Sequence, residues 1–193
     1  MISCSYIDGL HALVNVLFSA MQSLLRMSGD RENALLVMLG SSRHREDDAL
    51  VDLLRRRVDT LQLQRHIHIY TNLSYSLLSF ILRHAEIGLH TMWNEHFGIS
   101  VVEMMATGLV VVAHDSGGPR TDIVSDACNG FRASTADEYA EKIAFILDNP
   151  SKMKDIKVDA MIAARRFSDE KFSKKIINEF NLILNREVVV LDD

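Results

Sequence analysis

Short apolar runs alternate with longer amphipathic stretches along this chain, and this alternation constrains its fold more than any other feature. Residues 34–39 (ALLVML) and 109–113 (LVVVA) are continuous apolar runs, typical of strands buried on both faces. Shorter strands are predicted at 66–70, 85–89 and 130–133. Apolar residues that recur about every 3.6 positions predict helices at 8–27, 47–61, 74–83, 98–107, 119–124, 139–147, 153–166 and 169–184.

The strand and helix segments alternate at least four times with short connections. This order predicts a parallel sheet with helices on both faces, a doubly wound α/β domain. One domain accommodates the 193 residues, and no Pro/Gly/Ser linker or internal repeat divides them. Ligands of such folds bind where the carboxyl ends of strands lead into helix N-termini. We therefore expect functional residues directly after positions 39, 70, 89 and 113.

Composition excludes several classes of protein. The 21 Lys and Arg against 26 Asp and Glu give a net charge of −5, with no basic stripe for nucleic acid. Two cysteines, Cys4 and Cys128, make neither a disulfide framework nor a metal cluster, which indicates a reducing compartment. No stretch reaches the roughly 18 apolar residues that a membrane span requires.

The segment after position 89 holds the densest set of polar and aromatic residues, 90–100 (HTMWNEHFGIS). It leads into a helix whose free N–H groups and dipole suit an anion, and Gly98 lets a ligand approach the backbone closely. Glu103 lies near the start of that helix, either in a capping box with Ser100 or free for a ligand. Glu95 has the plain alternative of a solvated loop carboxylate.

Three weaker patterns occur elsewhere in the chain. The run 116–119 (SGGP) suits a helix start, and a structural turn is the favoured interpretation. The loop 40–43 (GSSR) follows a strand and could contact a phosphate, although it matches no phosphate-binding fingerprint. His66 and His68 share a strand face, but no third ligand stands at metal spacing, so no zinc site is predicted.

The run 87–124 resembles the nucleotide-sugar-binding half of retaining GT-B glycosyltransferases. The Glu-x7-Glu pattern of that superfamily is matched by Glu95 and Glu103, with Phe97 and Gly98 between them. The similarity extends over about residues 34–172. It implies that residues 1–193 form a single nucleotide-sugar-binding domain, the C-terminal Rossmann-like half of a GT-B fold.

The resemblance also implies a role for each matching residue. Glu95 would be the catalytic position, binding and orienting the sugar. Glu103 would accept hydrogen bonds from the ribose hydroxyls, which displaces the capping-box interpretation. Further substrate-binding positions are implied around the base for Thr71, Asn72 and Leu73, and at the sugar and diphosphate for Phe97, Gly98, Ile99 and Ser100.

The amino-acid sequence of 91–99 and 114–119 is similar to that of family members that use GDP-mannose. These transfer mannose with retention onto a dolichol-pyrophosphate-linked oligosaccharide, forming α-1,2 linkages in N-glycan precursor assembly at the cytosolic face of the endoplasmic reticulum membrane. The resemblance thus implies GDP-mannose and that oligosaccharide as partners. It also implies membrane contact through an N-terminal region missing here and association with other early N-glycan mannosyltransferases. No metal or other cofactor is expected.

Residues 1–10 (MISCSYIDGL) depart from the family pattern. Family members begin this domain with a strand and a loop whose Arg and Lys clamp the diphosphate. Neither cation is present here, so the first strand is expected to be missing or altered. Arg43 is a candidate substitute for the lost cations.

Two alternatives to an active enzyme remain open. The chain could be a catalytically incomplete fragment that acts at most as a nucleotide-sugar-binding or partner-binding module. A third interpretation is a sugar-nucleotide epimerase of a related two-domain fold. The amino-acid sequence of 91–99 argues against it. The resemblance further implies that helix 169–184 reaches towards a missing domain, leaving Phe172, Ile176, Phe180 and Ile183 partly uncovered.

Overall fold

The computed structural model describes residues 2–5, 11–29 and 31–184, with side chains from residue 14 onwards. The strands within these ranges are β1 (Ile2–Ser5), β2 (Leu36–Gly40), β3 (Ile67–Thr71), β4 (Ile87–His90), β5 (Val110–His114) and β6 (Phe131–Ala133). The α-helices are α1 (His11–Arg26), α2 (Arg45–Thr60), α3 (Tyr75–His84), α4 (Ile99–Ala106), α5 (Ala136–Asp148), α6 (Pro150–Ala164) and α7 (Asp169–Leu184). A π-helical turn (Pro119–Ile123) follows β5, and a 3-10 turn (Arg165–Phe167) follows α6.

All six strands are parallel and lie in the order β3-β2-β1-β4-β5-β6. This order confirms the predicted doubly wound α/β class. The chain first builds the sheet outwards from β1 to β3 and then returns to add β4 to β6 on the other side of β1. The crevice at that switch point, above the ends of β1 and β4, is where ligands bind in such folds.

Strand β1 was not predicted from the sequence, which was expected to lack or alter it. In the structure Ile2 to Ser5 pair with β2 on one side and β4 on the other. The run ISCS holds one apolar β-branched residue, so its own pattern carries little strand signal. Pairing with a neighbour on both sides accounts for the strand. Residues 6–10, which stand where family members have the loop with the two cations, lie outside the described residues.

Strand β5 shows why its apolar run is continuous. Val110 and Val112 pack into one cluster with α1, α2 and α5, whereas Val111 and Ala113 pack into a second cluster with α4 and α6. Successive side chains of a strand point to opposite faces, so a strand covered on both sides must be apolar at every position. The hydrophobic core is therefore two layers, one on each face of the sheet.

Helix α5 begins three residues earlier than predicted because its start is capped. Thr135 Oγ1 accepts the N–H of Glu138 at 3.3 Å, and the Glu138 carboxylate accepts the N–H groups of Ser134 and Thr135 at 2.6 and 3.3 Å. This capping box satisfies N–H groups that an unprotected helix start would leave without acceptors. The fixed start places Tyr139 in the first turn, fully buried against the sheet.

Helix α7 leaves its apolar side chains in solvent, as the family resemblance implies. Phe172 and Phe180 are 65% and 59% exposed, and Ile176 and Ile183 are 39% and 61% exposed. Its residues are exposed along the whole helix, so α7 adds little to the core. None of the described helices has the length and apolarity to span a membrane.

We expect Phe180→Gln to leave the free energy of unfolding within about 0.5 kcal/mol of the wild-type value, because this ring contributes little to the core. Leu24→Ala is the matched control. Leu24 lies on α1 with no exposed surface, so its truncation should cost about 2–5 kcal/mol. Urea unfolding measures both values. An equal loss of stability in the two variants would show that α7 packs into the fold.

Candidate functional site

The candidate site lies at the carboxyl ends of β4 and β5. The loop 91–98 follows β4 and enters α4, and the loop 115–118 follows β5 and enters the π-helical turn. Both loops therefore border the crevice next to β1 that the parallel topology creates. These loops follow two of the four positions, 89 and 113, after which functional residues are expected from the sequence.

Two hydrogen bonds join the two loops. The Gly118 N–H donates to the Glu95 carbonyl at 2.7 Å, and the Asn94 N–H donates to Ser116 Oγ at 2.7 Å. Ser116 Oγ also lies 2.8 Å from Nδ1 of His114 at the end of β5. Since the Ser116 oxygen accepts from Asn94, its proton is available to that imidazole nitrogen. These bonds fix the backbone around Glu95.

The two glycines of the second loop make this approach possible. A Cβ at Gly117 would fall on the Glu95 carbonyl oxygen, and Gly117 has a φ of +54°, in the left-handed region. A Cβ at Gly118 would lie 2.5 Å from the carbonyl oxygens of His96 and Phe97. The structural-turn interpretation of this Gly-Gly-Pro run is confirmed. The turn also holds the Glu95 loop in place.

Helix α4 begins at Ile99 with Gly98 as its N-cap residue, at a φ of +98° and a ψ of 54°. Ser100 is thus inside the helix and buried. The capping-box alternative is wrong, because Ser100 does not occupy the cap position. Glu103 lies more than one turn into the helix with an exposed side chain. The first N–H groups of α4 face the loop and have no acceptor within their own helix.

Glu95 is not the fully solvated loop carboxylate of the plain alternative. Its side chain is 26% exposed, and one carboxylate oxygen lies 3.9 Å from Nε2 of His90, the last residue of β4. The His90 imidazole is 4% exposed. Burial lowers the pKa of His90, an effect that Glu95 opposes and His114 reinforces. His90 is therefore neutral at pH 7.

His90 was missed as a functional candidate by the sequence analysis, which treated it as one more loop residue. The signal was present, since it is a polar residue directly after the apolar β4 run IGL. Its backbone carbonyl accepts the buried hydroxyl of Tyr139 at 2.8 Å. Through this hydrogen bond, helix α5 holds the carboxyl end of β4 in position.

The remaining predicted residues lie on the other side of β1. Asn72, at a φ of +55°, bonds through its amide oxygen to the Ser42 N–H and through its amide nitrogen to the Ser42 carbonyl, both at 2.9 Å. This pair ties the loop after β3, with Thr71 and Leu73, to the loop that carries Arg43. The Arg43 side chain is exposed, and the backbone N–H of Arg43 donates to the Asp47 carboxylate at 2.8 Å. The structure therefore forms two groups of predicted residues, one on each side of β1.

Metal binding finds no ligand set in the described part of the chain. No group of three or more His, Cys, Asp or Glu side chains is arranged to hold an ion there. The prediction that His66 and His68 share a strand face is wrong, because β3 begins at Ile67 and His66 lies in the turn before it, with Nδ1 3.0 Å from the Ala34 carbonyl oxygen. The expectation that the protein needs no metal stays a prediction.

Comparison with known protein families matches residues 11–161 to the glycosyl transferases group 1. The chain is 43% identical over 141 residues to the human GDP-Man:Man(3)GlcNAc(2)-PP-Dol alpha-1,2-mannosyltransferase. It is 38% identical over 156 residues to the enzyme of that name from Dictyostelium discoideum. These alignments cover 71% and 81% of this chain but 29% and 31% of the relatives, so the chain spans about a third of their length.

Solved structures show the same fold. A sucrose-phosphate synthase from Thermosynechococcus elongatus superposes with a TM-score of 0.79 over 95% of this chain and 45% of its own, at 19% identity. Anabaena HepE in complex with UDP and glucose superposes with a TM-score of 0.75 over 93% of this chain and 48% of its own, at 20% identity. The Rossmann-like architecture expected from the sequence matches that of GT-B glycosyltransferases.

We expect Gly118→Ala to destabilise the protein by about 1–3 kcal/mol, because its Cβ would push on two backbone carbonyls that cannot yield easily. Its φ of −57° is ordinary, so close approach alone is tested. Gly108→Ala is the control. Gly108 has a φ of +82°, but a Cβ added there would meet no atom closer than 3.6 Å. Urea unfolding measures the loss in each. The amide NMR shifts of residues 94–97 should change in Gly118→Ala alone. Unchanged shifts of these residues in that variant would contradict the close contact between Gly118 and the loop after β4.

Proposed function

The chain belongs to the glycosyl transferases group 1, and from this premise we propose that it is the donor-binding domain of a GDP-mannose-dependent α-1,2-mannosyltransferase. The acceptor is a dolichol-pyrophosphate-linked oligosaccharide of N-glycan precursor assembly. Relatives that bear this activity in their names are 34–43% identical to the chain over most of its length. We place the reaction at the cytosolic face of the endoplasmic reticulum membrane, in contact with other enzymes of the same assembly.

One observation carries the proposal, the placement of Glu95 and Glu103 on either side of the α4 start. Glu95 is half-buried at the rim of the crevice, and Glu103 is exposed further along the helix. Between them the backbone of Phe97, Gly98, Ile99 and Ser100 turns into the helix. A helix start supplies N–H groups and a positive dipole end, which favour the diphosphate of a nucleotide sugar.

The carboxylates suit the uncharged ends of the donor. Glu103 accepts hydrogen bonds from the ribose hydroxyls, and Glu95 accepts from the mannose hydroxyls and orients the sugar. The loop at Thr71, Asn72 and Leu73 borders the guanine from across β1. The exposed Arg43 guanidinium, on the loop tied to Asn72, approaches the diphosphate as its cationic contact.

Transfer then needs no nucleophile from the protein. The acceptor hydroxyl attacks the anomeric carbon on the face from which GDP departs, the bond from that carbon to the diphosphate oxygen breaks, and the hydroxyl proton passes to the diphosphate. The mannose configuration is retained. The domain contributes positioning and charge stabilisation, and no metal is required.

A second candidate is a binding module that is incomplete for catalysis. The exposed apolar side chains of α7 favour it, because the rest of the described chain leaves them uncovered. In the enzyme that we propose, the acceptor-binding region of the longer relatives supplies this surface. Both functions share the donor site, so donor binding is the measurement that decides first.

Calorimetric titration of the chain with GDP-mannose, GDP and UDP-glucose tests the donor site. We expect binding of both guanine ligands and a loss of about 10–100-fold in affinity for both in Glu103→Ala, the cost of hydrogen bonds to a charged group. Glu141→Ala is the control, because Glu141 is exposed on α5 on the opposite face of the sheet. Equal binding of UDP-glucose would contradict guanine selection. A folded protein that binds none of the three ligands would contradict the donor site itself.

A further inference from the structure

The His90 imidazole is buried at the floor of the candidate site without an assigned function. It is 4% exposed, and Nδ1 has no hydrogen-bond partner among the described residues. Nε2 faces the Glu95 carboxylate at 3.9 Å. A buried polar side chain with one nitrogen unpartnered requires a physical reason, since each such atom costs stability.

The structure anchors the backbone of both residues in this contact. The His90 backbone pairs with Ala113 of β5, and its carbonyl accepts the Tyr139 hydroxyl at 2.8 Å. Glu95 is held equally well on its side, because its carbonyl accepts the Gly118 N–H at 2.7 Å. Both partners are therefore anchored through their backbones, and their side chains meet.

From this geometry, and resting on the proposed donor site, we propose that His90 is a positioning residue that donates an Nε2–H hydrogen bond to Glu95 and holds its carboxylate towards the sugar. The present separation of 3.9 Å exceeds a hydrogen bond. Closing it by about 1 Å brings the atoms into range. Hydrogen bonds of this kind are often long without substrate and shorten when it binds.

Electrostatics select one tautomer of His90. A neutral imidazole carries a single N–H. On Nε2 this hydrogen points at a carboxylate. On Nδ1 it would be buried without an acceptor, and the Nε2 lone pair would face the negative charge of Glu95. Both effects favour the Nε2–H form, and the unpartnered Nδ1 atom is then a bare lone pair, which is less costly to bury than an N–H.

The charged and titratable groups around His90 come from three elements. Glu95 faces it from the loop after β4, His114 acts on it from β5, and Tyr139 reaches its carbonyl from α5. Burial lowers the pKa of His90 and the Glu95 charge opposes this. Removal of that charge should therefore lower the pKa of His90 further, which gives a measurement that needs no ligand.

The first test is NMR of the full chain labelled with ¹⁵N. We expect long-range ¹H–¹⁵N correlations to show the Nε2–H tautomer of His90, and Glu95→Gln to lower the His90 pKa. Glu141→Gln, a charge change on the exposed face of α5, is the control and should leave that pKa unchanged. An Nδ1–H tautomer, or a His90 pKa that does not respond to Glu95→Gln, would overturn the proposal.

The second test compares two substitutions of similar size. The amide nitrogen of glutamine reaches the position of Nε2, whereas that of asparagine reaches only the position of Nδ1. We expect His90→Gln to bind GDP-mannose within about twofold of the wild type and His90→Asn to bind it about tenfold more weakly, the effect of one hydrogen bond to a charged group. The affinity for GDP, which has no sugar for Glu95 to contact, should be the same in all three proteins.

The outcomes separate the two proposals. Equal GDP-mannose binding by both variants and the wild type would overturn the role of His90 and leave the donor site standing. A parallel loss of GDP and GDP-mannose binding in His90→Asn would assign a merely structural role to the imidazole. A wild type that binds neither ligand contradicts the proposed function, and the tautomer and pKa measurements still decide whether His90 holds Glu95.

Discussion

Burial of β4 and β5 on both faces is the constraint on which the site depends. Helices cover these strands from either side, so their side chains are apolar up to the carboxyl ends. The first polar side chains, His90 and His114, belong to the last residues of β4 and β5. A parallel sheet brings both ends to one edge. The fold thus brings together the polar groups at the ends of two paired strands.

Glycine then decides how close those segments come. The β5 loop can lie on the β4 loop because Gly117 and Gly118 lack a Cβ at points where the partner is backbone carbonyl. The contact joins the two loops into one surface through two hydrogen bonds, and His114 is a further partner of Ser116. Glu95 inherits its position from this contact, since its own carbonyl is one of the acceptors. A functional carboxylate on a loop needs such support to keep one orientation.

Sequence patterns predicted those parts of the molecule whose signal is local. The apolar run of β5, the periodic helices and the position of the α4 start are decided by residues near each other in the chain. Strand β1 and the anchoring of His90 were missed because both depend on distant partners. Residues 2–5 become a strand by pairing with β2 and β4, and the His90 carbonyl accepts the hydroxyl of Tyr139, 49 residues further along the chain. The sequence also left the Ser100 capping box open, which only the observed cap at Gly98 resolves.

The polar groups of the Glu95–Glu103 segment are complementary, in their order, to the groups of a nucleotide sugar. Such a donor is anionic at its diphosphate and uncharged but rich in hydroxyls at the sugar and the ribose. Carboxylates repel the diphosphate and accept hydrogen bonds from the hydroxyls of the sugar and the ribose. The segment places a carboxylate, then the N–H groups of the α4 start, then a second carboxylate. A site for an anion alone would gain nothing from the two glutamates, whereas a ligand with hydroxyls on both sides of a diphosphate uses all three parts.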